Sequence, residues 1–68
     1  MDNWKSVYED KLEYRATIVR DVLTDRGMDP VLMSKQDSAY NFGYYEVLVA
    51  PDHILRAIKI INDEIKFE

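Results

Sequence analysis

The sequence predicts an α+β protein whose elements follow the order strand, helix, strand, strand, helix. Three observations predict this class: two stretches with apolar residues at helical spacing, three short runs of β-branched and aromatic residues, and Gly or Pro at the boundaries. The 68 residues allow one domain, which we place over the whole chain, 1–68. A chain this short buries only about 60% of the surface that it exposes when unfolded, so oligomerisation is a common way to add buried area.

The first strand and the first helix come from the N-terminal half. Aromatic and β-branched residues at 4–8 predict the strand. Asp10, followed three residues later by Glu13, resembles a capping box and predicts the helix start. Gly27 comes after the last apolar residue, with Arg26 in the last turn, which predicts that the helix ends near Arg26. The helical stripe that connects these ends consists of Leu12, Ala16, Val19 and Leu23.

The C-terminal half predicts two more strands and a second helix. The apolar run 31–33 follows a proline and predicts the second strand, and 44–50 predicts the third. The polar segment 35–43 ends in Gly and predicts a long loop between them. Pro51 predicts the start of the second helix, which runs to about Glu64. The helical stripe in this part of the chain consists of Ile54, Ile58, Ile61 and Ile65.

These elements predict a ferredoxin-like βαββα layer. A right-handed crossover through the first helix places strand 2 parallel to strand 1, and strand 3 lies between them, antiparallel to both. We therefore expect a three-stranded mixed sheet in the order 1-3-2, with both helices on one face. Residues 65–67 either extend the second helix or form a short fourth edge strand at the C-terminus; periodicity leaves both open.

Composition argues against most chemistry. The chain has no Cys, one His and two Gly, so we expect no catalytic site, no metal site and no cofactor. His53, in the first turn of the second helix, is interpreted as an ordinary exposed residue. The net charge of −4 disfavours nucleic acid, and no apolar run is long enough to cross a membrane. Without a signal-peptide pattern, we expect a cytoplasmic protein.

A diffuse pattern of core positions and one glycine turn covers nearly the whole chain. It consists of Val7-Tyr8, Ala16, Val19, Leu23-Thr24-Asp25-Arg26-Gly27-Met28, Glu46-Val47-Leu48-Val49, Pro51 and Arg56-Ala57. This pattern resembles a family of small bacterial proteins named as prokaryotic signal-transducing proteins, to which no reaction is assigned. The resemblance implies a fold similar to a minimal nitrogen-regulatory PII protein, without that protein's long modified loop and nucleotide-binding residues. Function transferred from PII would rest on the fold alone.

Alternation along the strands predicts an apolar face on the sheet away from the helices. Val47 and Val49 should face the helices together with Tyr45. The opposite face then contains Trp4, Tyr8, Tyr44 and Leu48, with Val31 or Met33 from strand 2. Three explanations compete: a homodimer interface, a site for a ligand or partner peptide, and a base-stacking platform for RNA. Acidic charge and the lack of a basic-aromatic motif disfavour RNA.

The loop expected at 35–43 is the second candidate site. It combines hydrogen-bonding groups with two aromatic rings: Lys35, Asp37, Ser38, Tyr40, Asn41 and Phe42. It would serve either as a small-ligand sensor or simply as a hairpin connection. From the sequence we therefore expect a non-enzymatic regulatory or interaction module, self-associating through the sheet face, with a small-ligand sensor as the alternative.

Overall fold

A computed structural model describes residues 3–37 and 42–67. The elements are β1 (Lys5–Asp10), α1 (Glu13–Asp25), β2 (Val31–Asp37), β3 (Phe42–Val49) and α2 (Ile54–Glu64), with a 3-10 turn at Pro51–His53. The α+β class and the order strand, helix, strand, strand, helix are confirmed.

The sheet has three strands in the order β1-β3-β2, as predicted. β3 lies in the centre and pairs antiparallel with both neighbours. The expected mixed sheet is therefore wrong: β1 and β2 run in the same direction, but neither is hydrogen-bonded to the other, so both ladders are antiparallel. Within the described ranges, 65–67 form neither a fourth strand nor a helix, because α2 ends at Glu64 and Ile65 is extended.

The hydrophobic core connects the centre of the sheet to both helices. Val47 and Val49 of β3 are fully buried and belong to one cluster with residues of α1 and α2. Their shared orientation confirms the face predicted for strand 3, and Tyr45 packs against the same cluster. The buried members from the helices and the α1–β2 connection are Ala16, Val19, Leu23, Met28, Ala57 and Ile60.

A bulge in β1 changes which side chains face the core. Ser6 pairs with Leu48, but the next paired residue is Tyr8, which lies opposite Val47. Val7 is the extra residue, and such an insertion shifts the alternation by one position. Tyr8 therefore lies on the core side and packs against the cluster with Val7, so the expectation that Tyr8 faces away from the helices is wrong.

The start of α1 also differs from the prediction. Asp10 is the last residue of β1, not a helix cap; its Oδ1 accepts a hydrogen bond from the backbone N–H of Leu12 at 2.9 Å. Leu12 occupies the N-cap position, where no side chain caps the helix. The capping box was wrong because Asp10 bonds within the turn that joins β1 to α1.

The end of α1 matches the prediction. The helix ends at Asp25 with Arg26 as the C-cap, and Gly27 adopts φ +87°. The N–H of Gly27 donates to the carbonyl of Thr24 at 3.0 Å, and the N–H of Met28 donates to that of Leu23 at 3.1 Å. This is the Schellman motif, in which glycine takes the left-handed conformation without steric cost.

The hairpin between β2 and β3 is longer than the sequence indicates. Lys35 pairs with Tyr44, and Asp37 pairs with Phe42. The loop expected at 35–43 is therefore wrong for residues 35–37, 42 and 43, which belong to the two strands. The side chains of β2 become polar from Lys35 onward, but the backbone of β2 still forms ladder hydrogen bonds with β3. Ser38, Tyr40 and Asn41, also expected in that loop, lie outside the described residues.

α2 begins after the turn that Pro51 introduces, and it ends at Glu64 as predicted. The end of α1 is tied to α2 by two contacts. Arg26 forms an ion pair with Glu64, and Nη2 of Arg56 donates to the carbonyl oxygen of Arg26 at 2.7 Å. These contacts hold α2 beside the C-terminal end of α1.

Candidate interaction surface on the sheet

The side of the sheet opposite Val47 and Val49 forms what we call the outer face. Because residues directly opposite each other in an antiparallel pair share a face, the strand register identifies its members. They form three rows across the strands: Ser6, Leu48 and Val31; Glu9, Glu46 and Met33; Tyr44 and Lys35.

Half of these side chains are apolar. Val31, Met33, Tyr44 and Leu48 are half-buried, yet none of them is among the described residues that pack against the core cluster. Trp4, immediately before β1, is also half-buried and also absent from the residues that pack against the core cluster. The outer face is therefore a second apolar region, separate from the core.

Of the residues predicted for this face, Tyr44 and Leu48 are brought together on β3, and both Val31 and Met33 join them from β2. Tyr8 is excluded by the bulge. Sequence reasoning missed the charged members of the face, Glu9 and Lys35, because it followed apolar alternation only.

The charged residues of the outer face come from all three strands. Glu9 of β1 stands directly opposite Glu46 of β3, and like charges in this position destabilise a sheet. Nζ of Lys35 lies 3.9 Å from Oε1 of Glu46. The Glu46 side chain is only 14% exposed, whereas that of Lys35 is 42% exposed. The face thus combines two carboxylates with one ammonium group.

An open depression of about 340 Å³ adjoins this face where β1 ends. Its described lining consists of Glu9, Asp10, Lys11 and Tyr44. Both signs of charge and one aromatic ring therefore border the same space. Such a combination can bind a small polar molecule by hydrogen bonds and ring stacking.

On the core side of β1, Tyr8 belongs to a polar cluster. Its hydroxyl donates to Oδ2 of Asp10, and Nη1 of Arg15 lies 3.9 Å from the same oxygen. Burial, with the hydrogen bond to Asp10, raises the pKa of Tyr8 to about 12. The same hydrogen bond is the main reason why the pKa of Asp10 is lowered. Tyr8 stays protonated and Asp10 stays ionised at neutral pH.

Phe67, in the C-terminal segment after α2, contacts two members of this cluster. Its ring centroid lies 6.1 Å from that of Tyr8, and Cζ of Arg15 lies 5.1 Å from the centre of the Phe67 ring. A guanidinium at this distance from an aromatic face is attracted to it. The hydrogen bonds and ring contacts together fasten β1, α1 and the C-terminal segment, which indicates a structural cluster.

Other kinds of site receive no support from the part of the chain that the structure describes. Within residues 3–37 and 42–67, no group of His, Asp and Glu side chains could hold a metal ion. No helix in those ranges is long and apolar enough to span a bilayer.

Comparison of the chain with models of protein families, with curated proteins and with solved structures finds no match. The resemblance to the prokaryotic signal-transducing family therefore stays a prediction from the sequence.

Proposed function

We propose that the chain is a non-enzymatic regulatory or interaction module that forms a homodimer through the outer face of its sheet. One observation supports this above all. Val31, Met33, Tyr44 and Leu48 are grouped on one face but do not contribute to the core. A partly accessible apolar face outside the core can serve as a protein–protein contact surface.

A homodimer through the outer face would add buried apolar surface to the small core of a 68-residue chain.

The proposal also includes a ferredoxin-like arrangement of the layers, a family and a cellular location. A ferredoxin-like layer with both helices on one face is supported by the core cluster, in which Val47 and Val49 meet residues of α1 and α2. Membership of the prokaryotic signal-transducing family, with a cytoplasmic location, would give such a module a regulatory role. The absence of Cys is compatible with a reducing compartment.

Sedimentation velocity on matched variants tests the homodimer. Leu48→Glu places a charge on the outer face, and Leu55→Glu makes the same change on α2, where Leu55 is 85% exposed. Tyr44→Glu and Tyr14→Glu form a second pair, because Tyr14 is exposed on α1. We expect the wild type and both helix variants to be dimers and both outer-face variants to be monomers.

Two results would contradict the proposal. One is a wild-type monomer at concentrations up to about 100 μM, which corresponds to an association free energy weaker than about −5.5 kcal/mol. The other is a dimer that Leu48→Glu and Tyr44→Glu leave intact while the helix variants disrupt it.

The alternative function is a small-ligand sensor, which the sequence places at residues 35–43, whereas the described depression lies at the end of β1 beside Tyr44. The depression beside Tyr44 supports it, because about 340 Å³ lies at the lower end of the range for ligand pockets. A thermal-shift screen of small polar compounds against the wild type and Tyr44→Ala tests this function. A hit that stabilises the wild type alone supports the sensor, and a screen without hits counts against it.

A further inference from the structure

Glu9 has an unusual position on the outer face. It lies directly opposite Glu46, and its side chain makes no hydrogen bond or ion pair with any residue in the described ranges. Burying this carboxylate against a purely apolar surface would be costly, because a charge removed from water needs a partner. An occupant that buries Glu9 therefore has to bring a positive group to it.

A second copy of this chain supplies such a group. Lys35 is the cation among the paired strand residues of the outer face, and 42% of its side chain is exposed beside its long contact with Glu46. Within one copy Lys35 contacts Glu46 of β3 and not Glu9, and β3 separates the two edge strands by about 10 Å across the sheet. The partner for Glu9 is therefore sought in a second copy.

We propose that Lys35 of each copy pairs with the partner's Glu9 across the dimer interface; this inference rests on the homodimer proposed above. A two-fold interface is self-complementary, so a contact made once is made twice. Each Lys35 then lies between its own Glu46 and the partner's Glu9. These pairs relieve the repulsion between Glu9 and Glu46, and they select a second copy over partners that lack a matching positive group.

Charge reversal in two separate chains tests the pairing. In a homodimer of Lys35→Glu, both contacts become Glu against Glu; in a homodimer of Glu9→Lys, both become Lys against Lys. Each homodimer should dissociate with a Kd at least about tenfold above the wild type. In a mixed dimer of the two variants, both contacts again join opposite charges. We expect the mixture to form heterodimers with a Kd within about threefold of the wild-type value.

Matched controls separate the pairing from net charge and from folding. Lys59→Glu and Asp63→Lys make the same charge changes on exposed positions of α2, and they should dimerise like the wild type. Circular dichroism checks that each variant is folded. If a reversal variant is unfolded, Lys35→Gln and Glu9→Gln take its place, and both should reduce the salt dependence of dimerisation.

The outcomes distinguish this inference from the dimer itself. A monomeric wild type overturns both. Two outcomes overturn the Lys35–Glu9 pairing and leave the outer-face dimer standing. In the first, the wild type is a dimer and neither charge reversal raises the Kd. In the second, both reversals raise the Kd, but the mixture of the two variants does not restore it. Preferential formation of the mixed dimer supports the pairing, since a defect within one chain cannot be corrected by another copy.

Discussion

Replacing Tyr8 with phenylalanine removes one hydroxyl and keeps the ring that packs against Val47 and Phe67. The hydroxyl donates a hydrogen bond to the ionised carboxylate of Asp10. In the variant, Asp10 still accepts the hydrogen bond from the N–H of Leu12 and still lies beside the guanidinium of Arg15. A hydrogen bond to a charged group contributes about 1.5–3 kcal/mol, but Asp10 stays partly accessible to water, so we expect a loss of about 1–2 kcal/mol. For a domain of this size, the melting temperature should fall by about 5–10 °C.

The pH dependence of this loss is specific to the cluster. The pKa of Tyr8 is raised to about 12 from 10.0, so the stabilisation is complete below pH 10 and is lost as the pH rises towards 12. The pKa of Asp10 is lowered from 3.8, so its stabilisation is present above pH 3.8 and is lost as the pH falls through the lower value of the folded state. The stability difference between wild type and Tyr8→Phe should therefore be largest near neutral pH and narrow at both extremes.

Urea unfolding followed by circular dichroism, at equal protein concentrations from pH 3 to pH 12, measures this difference. Tyr14→Phe is the matched control, because Tyr14 is exposed on α1 and its hydroxyl only accepts a long hydrogen bond of 3.4 Å from Nε of Arg15, so its loss should change stability little. Unfolding free energies that agree within about 0.3 kcal/mol for wild type and Tyr8→Phe at pH 7, or a difference that stays constant across the pH range, would refute the role assigned to the Tyr8–Asp10 hydrogen bond.

Three further changes test the core, the helix end and the C-terminal contact, each by chemical or thermal unfolding. Leu23→Ala removes a fully buried side chain and should cost about 3–4 kcal/mol; a loss below about 1 kcal/mol would contradict its place in the core. In Gly27→Ala the added Cβ meets no atom within 4 Å, so only the left-handed backbone conformation is strained. We expect the free energy of unfolding to fall by about 1 kcal/mol, and by less for Gly27→Asn. A larger loss for Gly27→Asn than for Gly27→Ala would count against the left-handed turn. Phe67→Ala should cost about 1–2 kcal/mol and shift the ring proton resonances of Tyr8 in the nuclear magnetic resonance spectrum, and unchanged resonances would argue against the contact.

The sequence predicts the elements better than the faces of the strands. Three local patterns are reproduced by the structure: Ala16, Val19 and Leu23 of the α1 stripe, the glycine that ends the helix, and the alternation in β3. Leu12, the first residue of the predicted stripe, is instead 45% exposed. Tyr8 is different, because the bulge at Val7 shifts the register between β1 and β3. A bulge depends on how two strands pair, so alternation along one strand cannot indicate it.

The same distinction explains the other corrections. Asp is a residue type that often caps helices, but the carboxylate of Asp10 instead accepts hydrogen bonds from the N–H of Leu12 and the hydroxyl of Tyr8. Both hydrogen bonds depend on how the chain turns after β1. Lys35 and Asp37 look like loop residues, yet they continue an edge strand, where one side of the backbone faces no neighbouring strand and polar side chains are tolerated. Alternation along β3 already predicts Glu46 on the outer face, but Glu9 and Lys35 join it only through the register with β1 and β2.

Intermolecular nuclear Overhauser effects test the proposed dimer most directly. In a mixture of ¹³C-labelled and unlabelled chains, an isotope-filtered experiment detects only contacts between copies. The outer-face dimer predicts such contacts for the methyl groups of Val31, Met33 and Leu48. Their absence from a spectrum recorded at about 1 mM protein, where even a weak dimer with a Kd near 100 μM is mostly formed, would contradict the account. Intermolecular contacts confined to Leu55 and Ile58 of α2 would contradict it equally.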